Sequence, residues 1–258
     1  RPCALCPCAA VNSRRKKLLI ILWAFIAISH DAGAQGSIAP LGGARGMGMG
    51  HAGVTFADVQ SAMANQAGLA FLERTLGVSV QYFGMAEYNE QRAGLAYGRQ
   101  LFPGTSIGAQ INVFTSSIPD YGNTLHLNAE IGLQTRLLPG LNLGFHLANP
   151  VRTETRDGDR MPTILRAGLG YQTSDKVLLV LELEKDMDFP VRVKTGLEYR
   201  PAEPVFLRIG AATRPALFTM GAGFALPGGL AFDFAAGYHQ FLGITPSFSL
   251  VYTKPTKS

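Results

Sequence analysis

An all-β chain folded as a transmembrane antiparallel β-barrel of about twelve strands is what this 258-residue sequence predicts. Three observations carry that prediction. From Thr75 onward the sequence falls into twelve runs of alternating apolar and polar residues, of the length that tilted membrane-spanning strands need. One hairpin-like phrase recurs five times, as "GLAYGRQLFPGTSIG" from Gly94, "GLQTRLLPGLNLG" from Gly132, "GLGYQTSDKVLLV" from Gly168, "GLEYRPAEPVFLRIG" from Gly196 and "GAGFALPGGLAFD" from Gly221. Finally, the connections after the second, fourth, sixth, eighth and tenth runs are tight, while several of the others are longer, notably "NPVRTETRDGDR" from Asn149. Short turns on one side and longer loops on the other are the pattern of outer-membrane barrels.

Taken in chain order, residues 1–34 read as an upstream extension and a secretory signal peptide. Arg14 to Lys17 are its basic region, Leu18 to Ser29 its apolar stretch, and Ala32-Gly33-Ala34 its small cleavage residues, which leaves Gln35 as the mature start. The apolar stretch is too short for a spanning helix, which needs about 20 residues. Removing this segment takes away five of 23 basic and one of 18 acidic residues, leaving 18 against 17. The formal charge thus drops from +5 to about +1. With no basic stripe interleaved with aromatics, nucleic acid is not an expected partner. Cys3, Cys6 and Cys8 all precede the basic region, so the mature chain has no cysteine and needs no disulfide.

Residues 74–258 form the barrel domain. Its clearest strand is Leu125 to Arg136, where Leu125, Leu127, Ala129, Ile131 and Leu133 share one face and His126, Asn128, Glu130, Gln134 and Arg136 the other. Val191, Val193, Leu197 and Tyr199 oppose Arg192, Lys194, Glu198 and Arg200 in the same way. A closed sheet turns the apolar face to lipid and the polar face to a lumen. Tyr97, Tyr171, Tyr199 and Phe224 then lie outward near the short turns as an interfacial girdle. Gly94, Gly98, Gly132, Gly144, Gly168, Gly170, Gly196, Gly210, Gly221, Gly223 and Gly237 follow the lumenal phase, where a missing side chain permits curvature or close approach of another segment.

Hairpin arithmetic converts faces into pairs. Pairing Arg136 with Gly140 sets Glu130 opposite His146 and Gln134 opposite Asn142. Pairing Gln172 with Lys176 sets Arg166 against Glu182. Pairing Asp186 with Pro190 sets Glu184 against Arg192 and Glu182 against Lys194. The expected result is a lumenal charge ladder of Glu130, His146, Arg166, Glu182, Glu184, Arg192 and Lys194. Its two readings are mutual neutralisation in a narrow barrel and a polar track for a ligand, and the first is favoured because ion-pair networks are common without function.

No enzyme chemistry is expected. Gly48, Gly50 and Gly53 satisfy GxGxxG with Glu73 twenty residues on, but a dinucleotide site also needs a preceding strand and a parallel βαβ unit. His51, His126, His146 and His239 form no HxxxH pair, and GxSxG is absent. Glu184, Asp186 and Asp188 offer at most an acidic loop that is solvated by default. No cofactor, metal or catalytic residue follows from these patterns.

The segment "GGARGMGMGHAGVTFADVQSAMANQAGLAFL" resembles the opening of the PorV/PorQ family of outer-membrane barrels, relatives of the FadL-type transporters, and "MPTILRAGLGYQTSDKVLLVLELEKDMDFPVRVKTGLEYRP" is similar to a later part of it. The resemblance covers nearly all of the mature chain. It implies that residues 35–73 are an N-terminal plug inside the barrel. It also implies a plug turn at Asn65, Gln66, Ala67 and Gly68, with Gln where the family pattern has Pro, and it makes fourteen strands the alternative to twelve. The implied location is the outer membrane of a Gram-negative bacterium. The implied function is an accessory of protein export in type IX secretion, with secretion components or exported cargo as partners. The alternatives are a FadL-like passive channel for small hydrophobic molecules and a structural barrel.

Overall fold

In the computed structural model, the described residues are 42–72, 76–85, 88–118, 122–151, 162–239 and 243–253. The signal peptide, residues 35–41 of the expected plug and Glu73 lie outside them. Three short helical pieces come first: α1 (Gly43–Gly48), α2 (Ser61–Ala64) and a 3₁₀ segment (Gln66–Leu72). Twelve strands follow: β1 (Leu76–Met85), β2 (Tyr88–Phe102), β3 (Thr105–Ile118), β4 (Gly122–Leu138), β5 (Leu141–Ala148), β6 (Ile164–Ser174), β7 (Val177–Asp186), β8 (Arg192–Ala202), β9 (Val205–Ala212), β10 (Leu217–Leu226), β11 (Leu230–His239) and β12 (Gly243–Tyr252). They form one antiparallel sheet in chain order, β1 to β12. Among the described residues the count is twelve, and no ladder joins β1 to β12.

The outward face is apolar on every strand. Leu127 and Ile131 on β4, Leu181 and Leu183 on β7, Leu207 and Ile209 on β9 and Phe248 and Leu250 on β12 are all exposed. A surface this apolar is stable only in hydrocarbon. Tyr97, Tyr171, Tyr199 and Phe224 lie on it near the short turns, as expected. Tyr82, Phe189, Phe218 and Tyr238 form a second aromatic set toward the other end. No helix among the described residues is long and apolar enough to cross a membrane; the exposed apolar surface is on the strands.

The repeated phrase has a structural meaning. Each of its five copies holds a tight turn, and the strand two places further on reaches back to that turn with a backbone N–H. Arg136 N donates to Gly104 O, Gln172 N to Gly140 O, Arg200 N to Lys176 O, Ala225 N to Pro204 O and Thr253 N to Gly229 O, at 2.7–2.8 Å. The short-turn end is thereby sewn into a continuous rim. At Pro139-Gly140, Gly140 takes φ 80°, a conformation open to glycine at little cost.

Two predicted registers are corrected. Glu130 pairs with Ala148 and Gln134 with Gly144, so His146 faces Gly132 and Asn142 faces Arg136. Arg166 pairs with Glu184, and Glu182 with Gly168. The cause is the same in both: the turn lies later than assumed, at Pro139-Gly140 and at Asp175-Lys176, which moves the sum of paired positions by three, and a bulge at Arg136/Leu138 or Gln172/Ser174 takes one back. Each shift is two residues, so every side chain keeps its face. The third hairpin pairs as predicted, Glu184 with Arg192 and Glu182 with Lys194.

Candidate functional site

Irregular backbone inside a barrel has N–H and C=O groups that lipid cannot satisfy and that must find partners on the wall. Residues 42–72 lie against the inward face, and the inward polar side chains supply those partners. Glu182 accepts from the N–H groups of Gly53 and Val54, both at 2.9 Å. The Gln134 amide donates to Val54 O and Phe56 O at 2.9 Å. Thr219 accepts from Gly50 N at 2.9 Å and donates to Gly48 O at 3.2 Å. Ser106 donates to Ala67 O, Ser249 accepts from Ala44 N, and Lys194 donates to His51 O at 3.2 Å. Six inward side chains thus hold the plug backbone.

The glycine phase belongs to the same design. A Cβ at Gly196 would stand 2.6 Å from Met49 O, and one at Gly98 would stand 2.7 Å from Gln66 O. At Gly108, Gly132, Gly144 and Gly210 it would collide with Ala67, Asn65, Val54 and Gly50. Close approach to the plug, rather than curvature, accounts for these positions.

The plug turn is deeply seated. Asn65 Nδ2 donates to Val54 O at 2.8 Å, Phe145 O at 3.1 Å and Leu133 O at 3.3 Å, while its Oδ1 accepts from Ala67 N. Gln66 Nε2 reaches Glu130 Oε2 at 2.8 Å and Gln110 Oε1 at 3.0 Å. Asn65 is extended, φ −158° and ψ 105°, the conformation a following proline demands. The turn therefore keeps a proline-compatible backbone while its Gln adds two hydrogen bonds. Gly68 is packed against Phe56 O and the Ser61 side chain, which exclude a Cβ.

All seven residues of the predicted charge ladder are buried and fall into two groups. On β4 and β5, Glu130 bonds His146 Nε2 at 3.2 Å and pairs with Arg92 of β2. On β6 to β8, Arg166 bonds Glu184 at 2.9 Å, Lys194 bonds Glu182 at 3.0 Å and Glu184 at 2.5 Å, and Arg192 lies 3.7 Å from Glu184. Arg166 also approaches His146 Nδ1 at 3.5 Å and so connects the groups.

A third group was not expected from the sequence. Arg45 of α1 pairs with Asp58 and grips Glu198 through two nitrogens at 2.7 and 2.9 Å. Arg208 then joins Glu198 at 2.6 Å to Asp233 at 2.5 Å, and Gln60 Nε2 donates to Asp233 at 3.3 Å. Arg45 also covers the Phe56 ring at 4.4 Å. Glu198 and Arg208 are a direct cross-strand pair, set by a turn and a bulge at Tyr199/Ala202 that simple hairpin arithmetic around "RPAEP" misses. Arg45 carries no local periodic signal. His51 sits beside Lys194 with φ 62°. Burial first, then the charges of Lys194 and Arg192, push its imidazole down to about 3.

Gly48 ends α1, and among the described residues no strand precedes it, so the GxGxxG spacing belongs to the plug. Among the described residues no three His, Cys, Asp or Glu side chains are grouped to hold a metal ion.

Solved structures share this architecture. The structure described as the CymD monoaromatic hydrocarbon channel superposes with TM-score 0.63 at 15% identity, covering 86% of this chain and 100% of its own. The Pseudomonas putida toluene transporter TodX gives 0.59 at 10% identity, covering 86% and 97%. A Pseudomonas aeruginosa FadL homologue gives 0.56 at 10% identity, covering 84% and 97%. The chain shares the fold of these outer-membrane β-barrels. No family model matches the sequence, and no curated protein matches it. The neighbours named here are channels and transporters rather than enzymes. They favour the FadL-like alternative, while the PorV/PorQ assignment and the role in type IX secretion find no support among them.

Proposed function

We propose that this chain is a passive outer-membrane channel for small hydrophobic molecules, held shut by its own N-terminal plug. One observation carries the reading: a barrel of hydrocarbon-channel fold sets the inward side chains of Glu182, Gln134 and Thr219 onto the plug backbone. A polar lumen taken by itself disfavours an apolar cargo. With those groups matched to the plug and to each other, the polar face acts as a lock on the plug. The charge ladder and the turn at Asn65, Gln66, Ala67 and Gly68 are parts of that lock, and the plug extends back toward Gln35 behind a cleaved export signal in residues 1–34. Outer-membrane lipid is the partner of the outward face.

Reconstitution tests this. Proteoliposomes carrying the protein should take up toluene faster than empty vesicles, and the lock-weakened variant Glu182→Gln should raise that rate. Uptake at the empty-vesicle rate for both proteins would remove the channel reading.

A further inference from the structure

At the short-turn end, a cleft of about 270 Å³ opens between the plug and the inner wall of β8 to β12. Its polar floor is the third charge group. Two cations, Arg45 and Arg208, meet three carboxylates, Asp58, Glu198 and Asp233, so the floor holds one unmatched negative charge. Two acceptor oxygens there are orphaned: Gln60 Oε1, on a side chain only 4% exposed, and Asp58 Oδ1 are both buried and find no donor among the described residues. A buried acceptor without a donor is costly, and native proteins leave few. The walls are of opposite character, with Phe206, Leu72 and Val251 contributing apolar surface.

We propose that this cleft binds a small molecule with an apolar, aromatic-sized body and one protonated amine. The ammonium donates to Gln60 Oε1 and Asp58 Oδ1 and matches the surplus charge, and the body lies along Phe206, Leu72 and Val251. A hydrocarbon fills the volume but leaves both oxygens orphaned. An aromatic carboxylate adds a second unmatched negative charge. The site therefore selects arylalkylamines over the uncharged and anionic molecules of the same size. This assignment rests on the channel reading, to which it adds a separate amine site at one mouth, and it is tested by binding rather than passage.

Calorimetry on the full detergent-solubilised protein should show benzylamine binding above its detection limit, with benzoate and benzyl alcohol at least about tenfold weaker, as expected for one lost charge-assisted bond. Binding should fade as pH rises through the amine's own pKa. Gln60→Leu and Asp58→Asn should each weaken benzylamine about tenfold, with folding confirmed by heat-modifiable gel mobility. Equal affinities for the three probes, no benzylamine binding, or folded variants that bind like the unsubstituted protein would each overturn the assignment. Toluene uptake by proteoliposomes reads the channel separately: uptake without amine binding removes this site alone, and amine binding without uptake removes the channel alone.

Discussion

Replacing Glu182 with Gln changes one atom of a carboxylate that is 1% exposed and works on two fronts. Oε1 accepts from Lys194 at 3.0 Å; Oε2 accepts from the plug N–H groups of Gly53 and Val54. An amide satisfies only one front. If its oxygen faces the plug, its NH₂ meets the Lys194 ammonium, donor against donor. Turned the other way, it sets NH₂ against two backbone donors. Each hydrogen bond to a charged group contributes roughly 1.5–3 kcal/mol, and unpairing one partner of a buried ion pair costs roughly 3–5 kcal/mol. Lys194 keeps Glu184 at 2.5 Å, so the lower end applies, about 3 kcal/mol. The assay is the urea midpoint of heat-modifiable mobility, read with limited proteolysis of residues 42–72. A folded variant within about 0.5 kcal/mol of the parent would refute the claim that the ladder locks the plug. Adding Lys194→Met should recover part of the loss, with a coupling of about 1 kcal/mol or more.

Gly196→Ala should release the plug, because the new methyl meets Met49 backbone that has no flexible end to yield. Gly228→Ala, at φ 90° in open space, should cost only its backbone strain of about 1 kcal/mol, and comparing proteolysis of the two separates them. Spin labels at Leu127 and Leu197 should be relaxed by lipid-soluble oxygen and shielded from an aqueous nickel reagent, and the reverse accessibility would end the barrel reading. His51 is held neutral when folded, with its pKa about 3 against about 6.5 unfolded. The unfolded chain thus binds the extra proton between those values, and stability should be full above pH 6.5 and fall as pH drops toward 3. His51→Gln should flatten that slope in thermal melts. Gln66→Pro should fit the backbone yet lose the bonds to Glu130 and Gln110, costing about 1–3 kcal/mol in urea.

Strand number, strand faces and turn order were legible because a period of two is local: any five residues of β4 or β8 declare which side meets hydrocarbon. Pairing was legible where the turn centre was, as at Asp186–Val191; at the other two hairpins the turn lies later than assumed and a bulge takes back one residue, and the alternation of the strands beyond the bulge is the same for either turn position. The ladder survived that slip because a shift of two preserves the face, and long Arg, Lys and Glu side chains reach diagonal neighbours. The plug contacts were beyond reach. Arg45 and Glu198 are separated by 153 positions, and nothing in either neighbourhood specifies the other. Gln66 stood out only as a departure from the family pattern, and its role depends on Glu130 arriving from across the lumen.

Among the described residues the first and last strands leave a seam, and the plug touches both margins of it. Ala44 of α1 is tied to Ser249 of β12, while the α2 residue Met63 takes a hydrogen bond from Gln81 of β1. A stopper that also fastens the wall cannot be withdrawn as a cork is from a bottle. Loosening it relaxes the circumference as well, so bore and hoop tension are set by the same thirty residues.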